Sequence, residues 1–299
     1  MAAVIDLPAA VRDMAARGAQ WADWVDQLPK AAAGQLSEWG LRSDGAPASG
    51  SGSLILPVRT GDGERAVLKL AFPQDETAFE HLALRRWAGA AAVRLLRADP
   101  HRRALLLERA DPTDLRDSWD IEACEIVAAL YPRLHLSPMP QLPNLSELVA
   151  QWVTDLGALP RSAPIPHRLV EQAIALGRAF ETDHATSSTL IHSNLHYRTV
   201  LAGDREPWLA ISPRPVNGDP HYEIAPMLWH RWDELAGYTR DGVRRRFYAL
   251  VDAAGLSDER ARDWVVVRMT CHAMWALRGG STDTSWLTTC VAIAKAVQD

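Results

Sequence analysis

Strand-type patterning is confined to the first third of this chain, and that asymmetry limits the possible folds more than any other feature. Leu54–Arg59 and Ala66–Leu70 read as strands, and Thr60-Gly61-Asp62-Gly63 between them is a strong hairpin signal. Val93–Arg97 and Ala104–Glu108 read as two more strands. Pro73 opens a helical pattern that runs to Trp87, with Phe79, Leu82, Leu84 and Trp87 at near-helical spacing. Beyond Glu108 helical periodicity dominates: Asp120–His135, Leu145–Leu156, His167–Asp183, Glu223–Leu235, Asp241–Ala254, Asp258–Leu277 and Ser285–Val297. A β-like island, Leu190–Ile211, is the exception. Ahead of the strands, short helices are expected at Leu7–Arg17, around Trp21 and Trp24, and at Ala31–Trp39. The pattern predicts an α+β protein of two lobes sharing a cleft. Residues 1–108 form a small sheet-rich lobe and residues 109–299 a larger helical one.

Composition narrows the partners. The net charge is −5 with both signs mixed along the chain. A nucleic-acid binder needs a basic face to neutralise phosphates, so nucleic acid is not an expected partner. The densest basic run, Arg244-Arg245-Arg246, sits in a helical pattern and reads as a solvated face. No apolar stretch approaches the ~18 residues of a membrane span, and Met1–Ala10 carries Asp6 without a basic cluster, unlike a secretory signal. Cys124, Cys271 and Cys290 are an odd, widely spaced set with no CxxC pair, which reads as reduced thiols. A cytoplasmic location is expected. The mild acidic excess suits a cationic small molecule, with a nucleotide as the other candidate ligand; no protein partner is legible.

Two groups of residues carry chemistry. In the strand-rich third, Lys69 on a strand and Glu80 on the following helix can form a fixed cation for phosphate oxygens. Gly50-Ser51-Gly52-Ser53 lets backbone N–H groups approach phosphates closely, or is a plain loop. In the island, Ile191-His192-Ser193-Asn194-Leu195-His196-Tyr197-Arg198-Thr199-Val200-Leu201 precedes Ile211-Ser212-Pro213-Arg214-Pro215 and Gly218-Asp219-Pro220. His192 and His196 are spaced i, i+4, but in loop sequence, which gives little support to a zinc pair.

The order and spacing of these pieces resemble the aminoglycoside/hydroxyurea antibiotic resistance kinases, a branch of the aminoglycoside phosphotransferases similar to streptomycin 6-kinases. That family writes its catalytic segment H-G-D-L-H-x-x-N-V-L, then I-D-P-K-P, then G-D-P. The resemblance covers roughly Gly45 to Leu235. It implies a protein-kinase-like fold, ATP and Mg²⁺ as cofactors, and phosphoryl transfer to a hydroxyl of an aminoglycoside or similar molecule. Ser51, Gly52, Ser53, Lys69, Glu80 and Glu108 then fall at nucleotide-binding positions. Asp219, Glu223, Trp229, Trp232 and Asp233 are candidates for the acceptor wall.

The departures fall where the chemistry is. The proton-accepting aspartate is Asn194, and the two magnesium positions are Thr199 and Ser212. The glycine before the base is Ser193 and the lysine of I-D-P-K-P is Arg214. Asparagine has nearly the shape of aspartate but cannot take a proton at neutral pH. Magnesium prefers rigid oxygen coordination with one or two carboxylates, and Ser212 supplies none. Asn194, His196 and Arg214 are the residues left at the reacting centre, with His196 the only candidate substitute base in the loop and Asp219 the nearest carboxylate. The sequence therefore predicts a pseudokinase that retains a ligand site, with an active phosphotransferase of unusual metal arrangement as the alternative.

Overall fold

The computed structural model describes residues 5–279 and 284–298. The chain divides into two compact units, Met1–Asp111 with Gly203–Arg205, and Pro112–Ala202 with Glu206–Asp299.

The first unit opens with α1 (Ala9–Arg12) and α2 (Ala19–Trp39). Its strands are β1 (Arg42–Ser43), β2 (Ala48–Gly50), β3 (Ser53–Arg59), β4 (Arg65–Ala71), β5 (Leu95–Asp99) and β6 (Ala104–Glu108), with α3 (Glu80–Trp87) between β4 and β5. They form one antiparallel sheet in the order β1-β3-β4-β6-β5, with β2 also paired to β3. Period-two alternation decides the faces. Ala66, Leu68 and Leu70 of β4 join Leu54, Leu56, Ala104 and Leu106 in a core under Val25, Leu28 and Ala32 of α2. Lys69 points to the opposite face, where Glu80 of α3 meets it.

The helical run at the N-terminus differs from expectation. Instead of separate short helices, α2 is continuous for 21 residues, although Pro29 lies inside it. Burial of Val25, Leu28, Ala32 and Trp39 on one stripe outweighs the backbone hydrogen bond that proline removes. The helix expected from Pro73 starts only at Glu80, because Asp75–Thr77 closes a 3₁₀ turn first.

The second unit carries α4 (Asp120–Leu134), α5 (Leu145–Gly157) and α6 (His167–Thr182), then two strand pairs. β7 (Thr189–Ile191) pairs with β10 (Val216–Gly218), and β8 (Val200–Ala202) with β9 (Trp208–Ala210). After them come α7 (Ala225–Trp229), α8 (Thr239–Ala254), α9 (Asp258–Arg278) and α10 (Thr284–Ala296). Helix α9 is the spine of the unit, buried almost continuously from Trp264 to Met274 and packed against α6 and α10. Among the described residues no helix is long and apolar enough to cross a membrane. The three cysteines are buried and unpaired.

Two further expectations fail here. The pattern over Glu223–Leu235 is not one helix: α7 ends at Trp229, and Arg231 takes a left-handed φ of 54° before a 3₁₀ turn at Trp232–Leu235. The arginine run is not a uniformly solvated face either, because Arg246 is fully buried. Its Nε donates to Asp120 at 2.7 Å and its Nη1 to the His230 carbonyl at 2.6 Å. Asp120 also accepts from the Tyr197 hydroxyl, so this arginine ties α8 to α4 and to the loop after β7.

Candidate functional site

In the sheet unit, the Lys69 ammonium donates to both Glu80 carboxylate oxygens at 2.8 Å, and both side chains are buried. A buried pair of this kind is rigid, because separating it strands two charges away from water. The glycine-rich segment is an ordered hairpin turn: Gly50 pairs with Ser53, leaving Ser51-Gly52 as the two-residue turn. Gly52 has φ +80°, which its missing Cβ permits, and its carbonyl accepts from the Phe72 N–H at 2.9 Å. Trp21 stacks on Phe72 with ring centroids 3.7 Å apart and presses against Gly52. Ser51 is exposed and Ser53 buried.

Glu108, at a nucleotide-binding position by the resemblance, has its side chain engaged within the sheet unit. Its carboxylate accepts from Arg205 Nε at 2.8 Å, Arg205 Nη2 at 3.0 Å and the Arg94 N–H at 2.9 Å. That leaves it a brace within the sheet unit.

In the helical unit, β7 leads into residues 192–199 and β9 into Ser212, so the two strand pairs bring the altered positions together. His192 is fully buried and fixes the arrangement. Its Nε2 donates to the Ile211 carbonyl at 3.1 Å, its Nδ1 accepts from the Asn194 N–H at 3.2 Å, and its carbonyl accepts from the Arg214 N–H at 3.0 Å. Ser193 and Ser212 both hold left-handed φ values, 55° and 53°. Such a conformation costs a serine about 1–2 kcal/mol. At Ser193 its hydroxyl donates to the Arg214 carbonyl, a bond that glycine lacks and that offsets part of the strain.

The side chains of Asn194 and Thr199 are spent on backbone groups of the two segments. Asn194 Nδ2 donates to the Ser212 carbonyl at 3.0 Å. Thr199 Oγ1 donates to the Asn194 carbonyl at 2.7 Å and accepts from the His196 N–H at 2.9 Å. A threonine here closes the loop upon itself.

His196 is a poor candidate base. Its Nδ1 already accepts from the Arg198 N–H at 3.2 Å, and its ring lies 3.7 Å from that of His230. Burial, reinforced by His230, His192, Arg198 and Arg214, lowers its pKa to about 2. Burial likewise takes His230 to about 4, with Arg198 and Arg246 assisting, and His272 to about 3, with Arg268 and Arg214 assisting.

These three histidines fix the acid response. The unfolded chain binds protons below about pH 6.5 that the folded site refuses, so their contribution is complete above that pH and is lost as pH falls towards the folded values. Stability should drop between pH 7 and 5 by up to about 1.4 kcal/mol per pH unit per histidine. Urea denaturation across that range measures it, and His272→Phe should flatten the slope; identical slopes in the two proteins would contradict the assignment.

The expected acceptor wall is rearranged. Glu223 is fully buried and accepts from the Ser193 N–H, with His135 Nε2 at 3.3 Å from its other oxygen. Burial pushes its pKa up, but His135, His192 and the Ser193 N–H outweigh that and hold it below the usual carboxylate range. Asp219 is 1% exposed and accepts from Trp264 Nε1 at 2.8 Å, from Arg260 Nε and from the His221 N–H at 2.9 Å. Both acids are internal braces, which corrects their expected place on a substrate wall. Trp229, at the end of α7, is half-buried; on the following 3₁₀ turn Trp232 is half-buried and Asp233 exposed. Arg214 is half-buried beside the loop.

Sequence reasoning missed Arg268, which donates to the Tyr222 carbonyl at 2.7 Å and the Ser193 carbonyl at 2.8 Å. It also missed Tyr197, Asp120 and Arg246 beneath the loop. A single arginine inside the apolar run Val265-Val266-Val267-Arg268-Met269 was the available signal, since a charge in a buried helix needs fixed partners.

Against this geometry, the sequence pattern of the aminoglycoside/hydroxyurea antibiotic resistance kinases matches residues 38–280. The chain belongs to that family. It is 38% identical over 289 residues to the streptomycin 6-kinase of Streptomyces glaucescens, covering 92% of this chain and 91% of that one. It is 37% identical over 286 residues to the hydroxyurea phosphotransferase of Kitasatospora aureofaciens, covering 93% and 82%. Among solved structures, choline kinase from Streptococcus pneumoniae superposes with a TM-score of 0.59 at 10% identity, covering 91% of this chain and 99% of that one. A thermostable aminoglycoside phosphotransferase solved with ADP and hygromycin B gives 0.58 at 17% identity, covering 88% and 97%. The kinase-like fold and the membership of the aminoglycoside/hydroxyurea antibiotic resistance kinase family are thereby shown.

Proposed function

We propose that this family member is a pseudokinase: it keeps the lysine–glutamate half of a nucleotide site and has lost the groups that carry out phosphoryl transfer. The hydrogen bond from Asn194 Nδ2 to the Ser212 carbonyl carries the reading. A carboxylate at 194 has no hydrogen to donate there, so this contact belongs to the amide and not to a proton acceptor.

The donor set does not fit magnesium. Thr199 spends its hydroxyl on the Asn194 and His196 backbone, and Ser212 offers a neutral hydroxyl where the family pattern has a carboxylate. Asp219, the nearest carboxylate downstream of Ser212, is occupied by Arg260, Trp264 and His221. Among the described residues no group of three or more His, Cys, Asp or Glu side chains is placed to hold a metal ion. What remains is binding: Lys69 for a nucleotide phosphate in the sheet unit, and the aromatic side chains of the helical unit for a small molecule.

Incubation with γ-labelled ATP, Mg²⁺ or Mn²⁺, and either streptomycin or hydroxyurea tests this. No labelled product above the enzyme-free control is expected. Catalytic turnover with any of these combinations would establish the alternative, a working phosphotransferase with an unusual metal arrangement.

A further inference from the structure

Helix α2 reaches the glycine-rich turn of the sheet unit through an aromatic cluster. Trp21 stacks face to face on Phe72, with ring centroids 3.7 Å apart and planes 7° from parallel. Trp24, three residues further along α2, sets its ring edge-on to both, 5.9 Å from Trp21 and 5.7 Å from Phe72. The Arg17 guanidinium lies 4.8 Å from the centre of the Trp21 ring. Stacked, edge-on and cation contacts of this kind fix how a ring is oriented as well as burying it. Phe72 is itself buried and its backbone is tied down. Its N–H donates to the Gly52 carbonyl at 2.9 Å, and its carbonyl accepts from the Thr77 hydroxyl at 3.2 Å.

The turn has no slack against this cluster. At Gly52, where φ is +80°, an added Cβ would stand 3.1 Å from Trp21 Cη2 and 3.7 Å from its Cζ3. Trp21 and Trp24 pack against the core that β3 and β4 share with α2, whereas Lys69 meets Glu80 on the other face of the sheet. The tryptophan therefore backs the turn from behind and leaves the lysine face clear. A loose glycine turn has to be ordered when a ligand arrives, and that lost freedom opposes binding unless the turn is held in place beforehand.

We propose that Trp21 is a positioning residue for nucleotide binding: from α2 it holds the Ser51-Gly52 turn in the shape whose backbone meets a nucleotide phosphate. The proposal rests on the reading that Lys69 keeps a nucleotide-phosphate site, and it adds a residue about fifty positions upstream that touches no ligand. Trp21 acts through two contacts, the stack on Phe72 and the close approach to Gly52. Removing the ring frees the turn to sample other conformations. Adding a methyl at Gly52 pushes the turn off the ring and strains a left-handed residue. Both changes undo the same support, so once one is made the other has little left to remove.

A double-mutant cycle read by calorimetric titration of the whole chain with ADP, in excess chelator, tests this. Trp21→Ala and Gly52→Ala should each weaken ADP by about fivefold or more, and the double variant should stay within about twofold of the weaker single variant. A purely structural loosening of the sheet unit predicts instead that the two losses multiply, to about 25-fold. Trp21→Phe keeps a ring on Phe72 and should stay within about twofold of the unaltered chain. Trp21→Leu, which keeps apolar bulk against the core and removes the stack, takes the place of Trp21→Ala in the cycle if the alanine variant folds poorly. ADP affinity unchanged by loss of the ring, losses that multiply, or a Trp21→Phe defect as large as that of Trp21→Ala would overturn the inference and leave the nucleotide reading intact. An unaltered chain that binds no ADP would overturn the nucleotide reading itself, and the inference with it, so the two failures are distinguishable.

Discussion

Asn194→Asp, Thr199→Asn and Ser212→Asp introduced together should raise phosphoryl transfer from ATP to an alcohol acceptor by at least about 10²–10⁴-fold over the unaltered chain, the usual worth of general-base assistance. The scaffold is already shaped for these residues. Ser212 keeps a left-handed φ of 53°, a conformation that aspartate and asparagine adopt more readily than serine. His192 still clamps the two segments through the Ile211 carbonyl and the Asn194 N–H. At position 194 an aspartate cannot donate to the Ser212 carbonyl, so its carboxylate is driven away from that oxygen and out of the closed arrangement. Asparagine at 199 releases the loop contacts made by the Thr199 hydroxyl. The single reversions should each recover little, because base and metal groups act as a unit and any one missing part limits the whole. Single-turnover assays on the three single variants and the triple variant measure this. A triple variant as inactive as its parent would show that these positions are not what the site lacks.

Removing Glu223 should have the largest effect on stability. Glu223→Ala leaves the Ser193 N–H without its acceptor, at a residue already held at φ 55°, and takes a counter-charge from the fully buried Arg268. Breaking a buried ionic cluster by deleting one member costs about 3–5 kcal/mol, against a total stability of about 5–15 kcal/mol for a typical domain. Glu223→Gln keeps an acceptor for Ser193 and loses only the charge, so it should be milder. Asp233→Ala, at an exposed acid on the same stretch of sequence, should stay within about 0.5 kcal/mol of the parent. Urea melts of the three variants give the ranking. Equal stability of the Glu223→Ala and Asp233→Ala proteins would remove Glu223 from its place beneath the loop.

Local residue patterns made much of this architecture legible. The β-like run Ala66–Leu70 put Lys69 on a strand, and the glycines after Thr60 marked the hairpin between β3 and β4. The segment after β7 could be matched to the family pattern because its residues are contiguous, so a departure within it stands out by position. Features governed by distant packing were not readable. Nothing local to Pro29 says that α2 runs through it; that follows from a buried stripe contacting strands further along the chain. Glu223 and Asp219 look like surface acids on short motifs until their partners are known, and those partners lie 30 and 45 residues away in Ser193 and Trp264. The break at Arg231 was hidden for the same reason: its side chain is tied to the Ser118 carbonyl, 113 residues away. Helical spacing alone carried the pattern across it.

The proposed pseudokinase function rests on neutral side chains, Thr199 and Ser212, at the positions where the family pattern has magnesium ligands, and calorimetric titration of the intact chain with ATP, in magnesium and then in excess chelator, tests it directly. The account predicts that magnesium alters ATP affinity by no more than about twofold, whatever Lys69 contributes in its absence. A tightening of tenfold or more on adding magnesium, about 1.4 kcal/mol, would contradict it.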